Sequence, residues 1–176
     1  MAADRTGGAK SSGFRIGPHW RDGIDAYLRD LQKLSYMNPP EAPGTGQTRE
    51  QLAAQARANA ALAVQHKAWN VFGGGPFWFH DQVNTDGPWD YKNNGNKAYE
   101  DFGNYKYGYT GAAAGFPAGI LLRQAGLQQI LRRNSLPEFG NPGNGLFGGS
   151  GSFGDDPKDQ EMIIRGASDW RNGNGR

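Results

Sequence analysis

One stretch constrains the fold of this chain more than any other. Gly87 to Tyr109 reads GPWDYKNNGNKAYEDFGNYKYGY and holds one Trp, five Tyr and one Phe among Asp90, Lys92, Asn93, Asn94, Glu100, Asp101 and Asn104. A segment this aromatic is driven out of water, yet its amides and charges need partners once buried. It shows neither helical nor strand periodicity over its length, which predicts a long ordered loop. Loops of this length are uncommon unless functional. Aromatic faces with interspersed amides suit a site that stacks a ring-shaped ligand and bonds its edges. The plainer alternative is a loop whose aromatics plug the core.

The flanking sequence reads as helices. Residues 1–18 predict a disordered lead, and residues 19–47 an N-terminal helix and linker. Ile24, Tyr27, Leu28, Leu31 and Leu34 stand at helical spacing there, and Pro39 and Pro40 stop the run. Thr48 with Gln51 three residues on is a capping-box signature. It opens an Ala-rich helix expected to run to about Phe72. Phe77 to Val83 predicts a short helix, and Gly115 to Arg133 one with a broad apolar face. Arg132 and Arg133 suit the negative end of the latter. Residues 134–154 read as a second loop, rich in Gly, Pro and Asn. Asp156-Pro157 then opens the last helix, and residues 171–176 form a frayed tail. The expected fold is mainly α: a single compact helical domain over 48–170, with two long Gly/Asn/aromatic-rich loops and little or no β-sheet.

Composition removes several chemistries. The chain has no Cys, which rules out a disulfide scaffold, a Cys nucleophile and thiolate metal sites. His19, His66 and His80 lie in separate segments without a shared ligand spacing, so no metal site and no cofactor is expected. There is no GxSxG nucleophile motif. A net charge of +2 from 19 basic and 17 acidic residues does not by itself imply nucleic acid. The apolar run near Ala112 to Leu122 is broken by Gly115, Pro117 and Gly119, so no membrane span is expected. The start, MAADRTGGAKSSG, lacks the apolar core of a signal peptide.

In order along the chain stand FWFHDQV, GPWDYK, YEDFGNYKYGYTGAAAGF, LLRQAG and GDDPKDQEMI. This succession resembles the bacterial polymorphic toxin type 44 domain, over roughly Thr48 to Trp170. The resemblance implies an antibacterial effector toxin, delivered into a rival cell by a specialised secretion system such as type VI. It also implies a cognate immunity protein in the producer. The N-terminal region, outside the resemblance, is expected to meet the secretion apparatus. The segment LFGGSGSFGDD before the last helix departs from the family pattern by extra glycine.

The residues must then supply the chemistry. Glycoside hydrolysis needs two carboxyl groups flanking the bond, one protonated and one ionised, with aromatic faces to hold the sugar rings. Candidate carboxylates are Asp90, Glu100, Asp101, Asp155 and Asp159, with Lys92 beside them. Asp156 reads as a helix N-cap. Trp89, Tyr91, Asn93, Asn104, Tyr105, Tyr107 and His80 are candidate substrate contacts. Glu100 or Asp101 among aromatics suits the acid, because burial disfavours a charged carboxylate. This favours a hydrolase of the peptidoglycan glycan, acting in the target periplasm. The alternative is a metal-independent RNase in the target cytoplasm, using His80 and the lysines, although the loop's lysines are offset by its acids. A third reading is a non-enzymatic glycan-binding protein.

Overall fold

The computed structural model describes residues 37–67, 74–91 and 97–173. The expectations for the N-terminal helix, for Lys92 and Asn93, and for the last three residues lie outside that set. Five α-helices lie among the described residues: α1 (Arg49–Gln65), α2 (Gly75–Val83), α3 (Glu100–Ala114), α4 (Ala118–Leu131) and α5 (Pro157–Gly173). The fold is mainly helical, as expected.

Local chemistry accounts for the helix ends. The Thr48 hydroxyl accepts from the Gln51 amide and the Gln51 side chain accepts from the Thr48 amide, closing the capping box of α1. That helix ends at Gln65, earlier than the expected Phe72. Pro76 sits in the first turn of α2, where its missing N–H costs nothing. At α5, Asp156 Oδ1 accepts from the Lys158 amide at 2.8 Å, the N-cap bond expected of it.

The aromatic stretch departs from expectation. Its second half is not loop: Lys97–Tyr99 form a 3₁₀ turn that leads directly into α3. This helix is the centre of the fold, with α1 and α5 packed along it and α2, α4 against its other contacts. Phe102, Tyr105, Tyr109 and Ala113 are buried, and so are Lys106 and Thr110. The second predicted loop is largely irregular, and contains a 3₁₀ turn at Pro137–Phe139. A minimal antiparallel pair also forms there, β1 (Gly140–Asn141) with β2 (Ser150–Gly151).

Helices α3 and α5 meet backbone to backbone. A Cβ on Gly108 would lie 1.9 Å from the Ile163 carbonyl oxygen, and one on Gly166 1.9 Å from the Tyr105 carbonyl oxygen. No side chain larger than hydrogen fits at either position without moving a helix. At the end of this seam the Tyr105 hydroxyl donates to Asp169 Oδ2 at 2.8 Å. The same oxygen accepts from the Asn38 amide at 3.2 Å, which ties the segment before α1 to the last helix. Arg49 reinforces the tie by donating to Asn38 Oδ1 and Glu41 Oε1, each at 2.7 Å.

Candidate functional site

A cleft of about 450 Å³ opens along α3, between α2 with its following turn on one side and α4 with the start of α5 on the other. A helix turns about 100° per residue, so Gly103, Tyr107 and Thr110 share one face, and this face is the floor. Asn104 lies on the flank towards α5, whose Ile163 packs at Gly108. Lys106 lies on the opposite flank, against Trp89 and Tyr91.

The α5 flank carries carboxylates. Asp155 is 2% exposed and Asp159 is buried, both lining the cleft. Asp155 Oδ2 accepts from Gln160 Nε2 at 2.8 Å and Oδ1 from the Asp156 amide at 3.0 Å. Burial nevertheless dominates and, with the Asp159 charge adding to it, pushes the Asp155 carboxyl up to about 6. Tyr107 donates to the Leu121 carbonyl at 3.2 Å, and burial beside Asp155 raises its phenol well above the ordinary range.

The opposite flank is aromatic. Trp89 stands edge-on to Trp78 and Phe79, and Tyr91 edge-on to Phe102. Lys106 Nζ lies 3.7 Å from the Tyr91 ring centre and 5.4 Å from that of Trp89. With its amide oriented to satisfy both neighbours, the Asn59 oxygen accepts from Lys106 Nζ at 2.5 Å and from Trp89 Nε1 at 3.1 Å. Burial pulls the Lys106 amine down to about 6. Asp90 stands on this side too, with Oδ2 accepting from the Asp86 amide at 2.9 Å. That bond steadies a turn whose Asp86 has a positive φ of 64°.

The rim of the cleft includes two exposed apolar side chains, Phe77 from α2 and Leu146 from the hairpin loop. Arg123 holds that loop in place: Nε donates to the Gly148 carbonyl at 2.7 Å and Nη1 to the Gly119 carbonyl at 2.6 Å. Gln124 adds a bond to the Gly145 carbonyl at 3.0 Å.

Of the candidates named from sequence, Asp90, Asp155, Asp159, Trp89, Tyr91, Asn104, Tyr107 and His80 all line this one cleft. Three do not. Asp101 pairs with Lys158 at 2.8 Å near the surface, Glu100 stands one residue before it on α3, and Tyr105 faces Asp169 in the α3–α5 seam. The acid role expected of Glu100 or Asp101 therefore has no place in the cleft lining. The sequence names Lys106 only among the lysines of the nuclease alternative, and its burial is not apparent there. Among the described residues no three His, Cys, Asp or Glu side chains are grouped to hold a metal ion. No described helix is long and apolar enough to cross a membrane.

Residues 92–172 match the bacterial toxin 44 family. No curated protein matches the chain, and no solved structure matches it. The bacterial toxin 44 segment holds α3, α4 and α5 and so supplies the cleft floor, Lys106, Asn104, Asp155 and Asp159. It starts after FWFHDQV and at the last residue of GPWDYK, so α1, α2 and the Trp89–Tyr91 wall precede it. The match supports a bacterial toxin role. Such a toxin implies delivery into target cells and an immunity protein as partner.

Proposed function

We propose that this toxin is a hydrolase of the peptidoglycan glycan strand, with Asp155 as its general acid. The observation that carries the reading is Asp155: buried in an aromatic-walled cleft, beside a second carboxylate, with its proton held up to about 6. A carboxyl group so placed keeps a proton to give to a leaving sugar oxygen. Asp90 reaches the same cleft from a distant segment and serves as the second carboxylate, activating water or attacking the anomeric carbon. Asp159 raises the proton affinity of Asp155 by its charge. Trp89, Tyr91 and Tyr107 offer ring faces to sugars. The lining acids oppose a polyphosphate backbone, which favours the glycan over RNA.

The test is paired. Purified protein is incubated with isolated cell-wall sacculi and, separately, with total RNA. The reading expects soluble glycan fragments with new reducing ends, loss of activity in Asp155→Asn and Asp90→Asn, and activity falling as pH rises through about 6. In a bacterial host, killing should require a periplasmic export signal. RNA degradation with intact sacculi would replace this reading with the nuclease one.

A further inference from the structure

Lys106 has a place in the cleft that general acid chemistry does not use. It is 2% exposed, yet lines the cavity. An ammonium group has three protons to donate. One meets the Asn59 oxygen and one face meets the Tyr91 ring. Among the described residues Lys106 makes no ion pair, and burial alone is the cause of its lowered proton affinity. The carboxylates Asp155 and Asp159 stand on the other flank of α3, and the neighbouring Asp90 turns Oδ2 to the Asp86 amide. A second unmet donor lines the same cavity: among the described residues the buried Asn104 Nδ2 has no hydrogen-bond partner. A buried amine that lacks the counter-charge to hold its proton and a buried amide without an acceptor are both groups that a ligand can complete.

We propose that Lys106 forms an anion subsite that takes the free lactyl carboxylate of a muramic acid residue in a glycan strand stripped of its stem peptides, with Asn104 donating to a neutral carbonyl oxygen of the same strand. This rests on the glycan reading and names the group that the cleft recognises. In a strand without stem peptides, one carboxylate every second ring suits a single buried amine. A chain of phosphates would bring further charges against Asp90, Asp155 and Asp159. When the carboxylate enters, it supplies the missing counter-charge, and the neutral amine takes one proton from solvent to become ammonium. The Tyr91 and Trp89 rings then hold that cation over their faces.

The experiment is titration calorimetry of the intact protein at pH 8, in two buffers of different ionisation enthalpy. Three probes are used: the N-acetylglucosamine–N-acetylmuramic acid disaccharide with its free lactyl carboxylate, the same disaccharide as the carboxamide, and the dinucleotide UpU. The expected result is at least tenfold tighter binding of the acid than of the amide, with uptake approaching one proton per acid bound. Lys106→Met should equalise the two sugars and abolish the uptake. If that variant does not fold, the proton count on the wild-type protein decides alone. Equal binding of both sugars without proton uptake overturns the subsite and leaves the glycan reading standing. Binding of UpU with proton uptake, and of neither sugar, overturns the sugar assignment together with the glycan reading. Binding of no probe overturns both.

Discussion

The sharpest stability prediction concerns two glycines on the same helix. Gly108 and Gly103 both lie inside α3, where alanine is intrinsically better by about 0.5–1 kcal/mol. Their surroundings differ. A Cβ at Gly103 meets only Tyr91 Cβ, at 3.7 Å, an ordinary contact. A Cβ at Gly108 meets the Ile163 carbonyl oxygen at 1.9 Å and its carbonyl carbon at 2.7 Å, and these are backbone atoms that no rotamer change can move. In a close-packed interior, restoring a normal contact requires α5 to retreat by roughly 1.5 Å along part of the seam. Overpacking of this kind costs about 1–3 kcal/mol, occasionally more. The retreat also loosens the Tyr105–Asp169 bond and the tie to Asn38. Gly108→Ala should therefore destabilise by about 2 kcal/mol net or more, a fall in Tm of roughly 4–8 °C for a chain of this size. Gly103→Ala should raise Tm by about 2 °C from propensity alone. Thermal and urea unfolding followed by circular dichroism measures both. If Gly108→Ala proves as stable as Gly103→Ala, the helices do not touch through their backbones and the packing argument is wrong.

Three further expectations follow from the buried charges and the surface. Asp155 binds its proton up to about 6 in the native state against an ordinary 3.8, so the native state holds more protons in that window and stability falls as pH rises through it. The loss amounts to roughly 3 kcal/mol at most, and urea titrations between pH 4 and 7 should show that slope in the wild type and lose it in Asp155→Asn. Lys106 behaves in the complementary way. Its amine is neutral in the native state above about 6 but charged when unfolded below 10.5, so wild-type stability rises with pH across that range. Lys106→Met should consequently unfold at higher temperature than the wild type at pH 7, and the advantage should shrink towards pH 10. Asp101→Asn breaks only a largely exposed pair with Lys158, worth about 0–1 kcal/mol, so glycan hydrolysis by this variant should match the wild type within about twofold, read by reducing-end release.

The helices with explicit end signals were legible in the sequence. Thr48 with Gln51, and Asp156 followed by Pro157, name their helix starts through backbone amides that need acceptors. Helix α3 was not legible, and the reason is physical. A helix that buries residues on most of its circumference has no polar stripe, so the 3.6-residue period vanishes. Gly103, Gly108 and Gly111 further lower its apparent propensity, although Gly108 is there for close approach. The site suffered from the same gap. Most of the side chains the sequence points to line one cleft, because aromatic and amide composition survives without knowing the backbone. Which of them share a face depends on the helix: its turn places Asp101 and Tyr105 away from Gly103 and Tyr107, and Glu100 stands at its first residue, outside the cleft lining.

The bond from the Asn38 amide to Asp169 fixes where the first described residues meet the domain. Asp169 is held by Tyr105, which the turn of α3 places on the side away from Gly103, Tyr107 and the cleft floor. The segment at Met37 and Asn38 therefore lies at the back of the domain. Residues 37 and 38 thus sit at a point remote from the cleft.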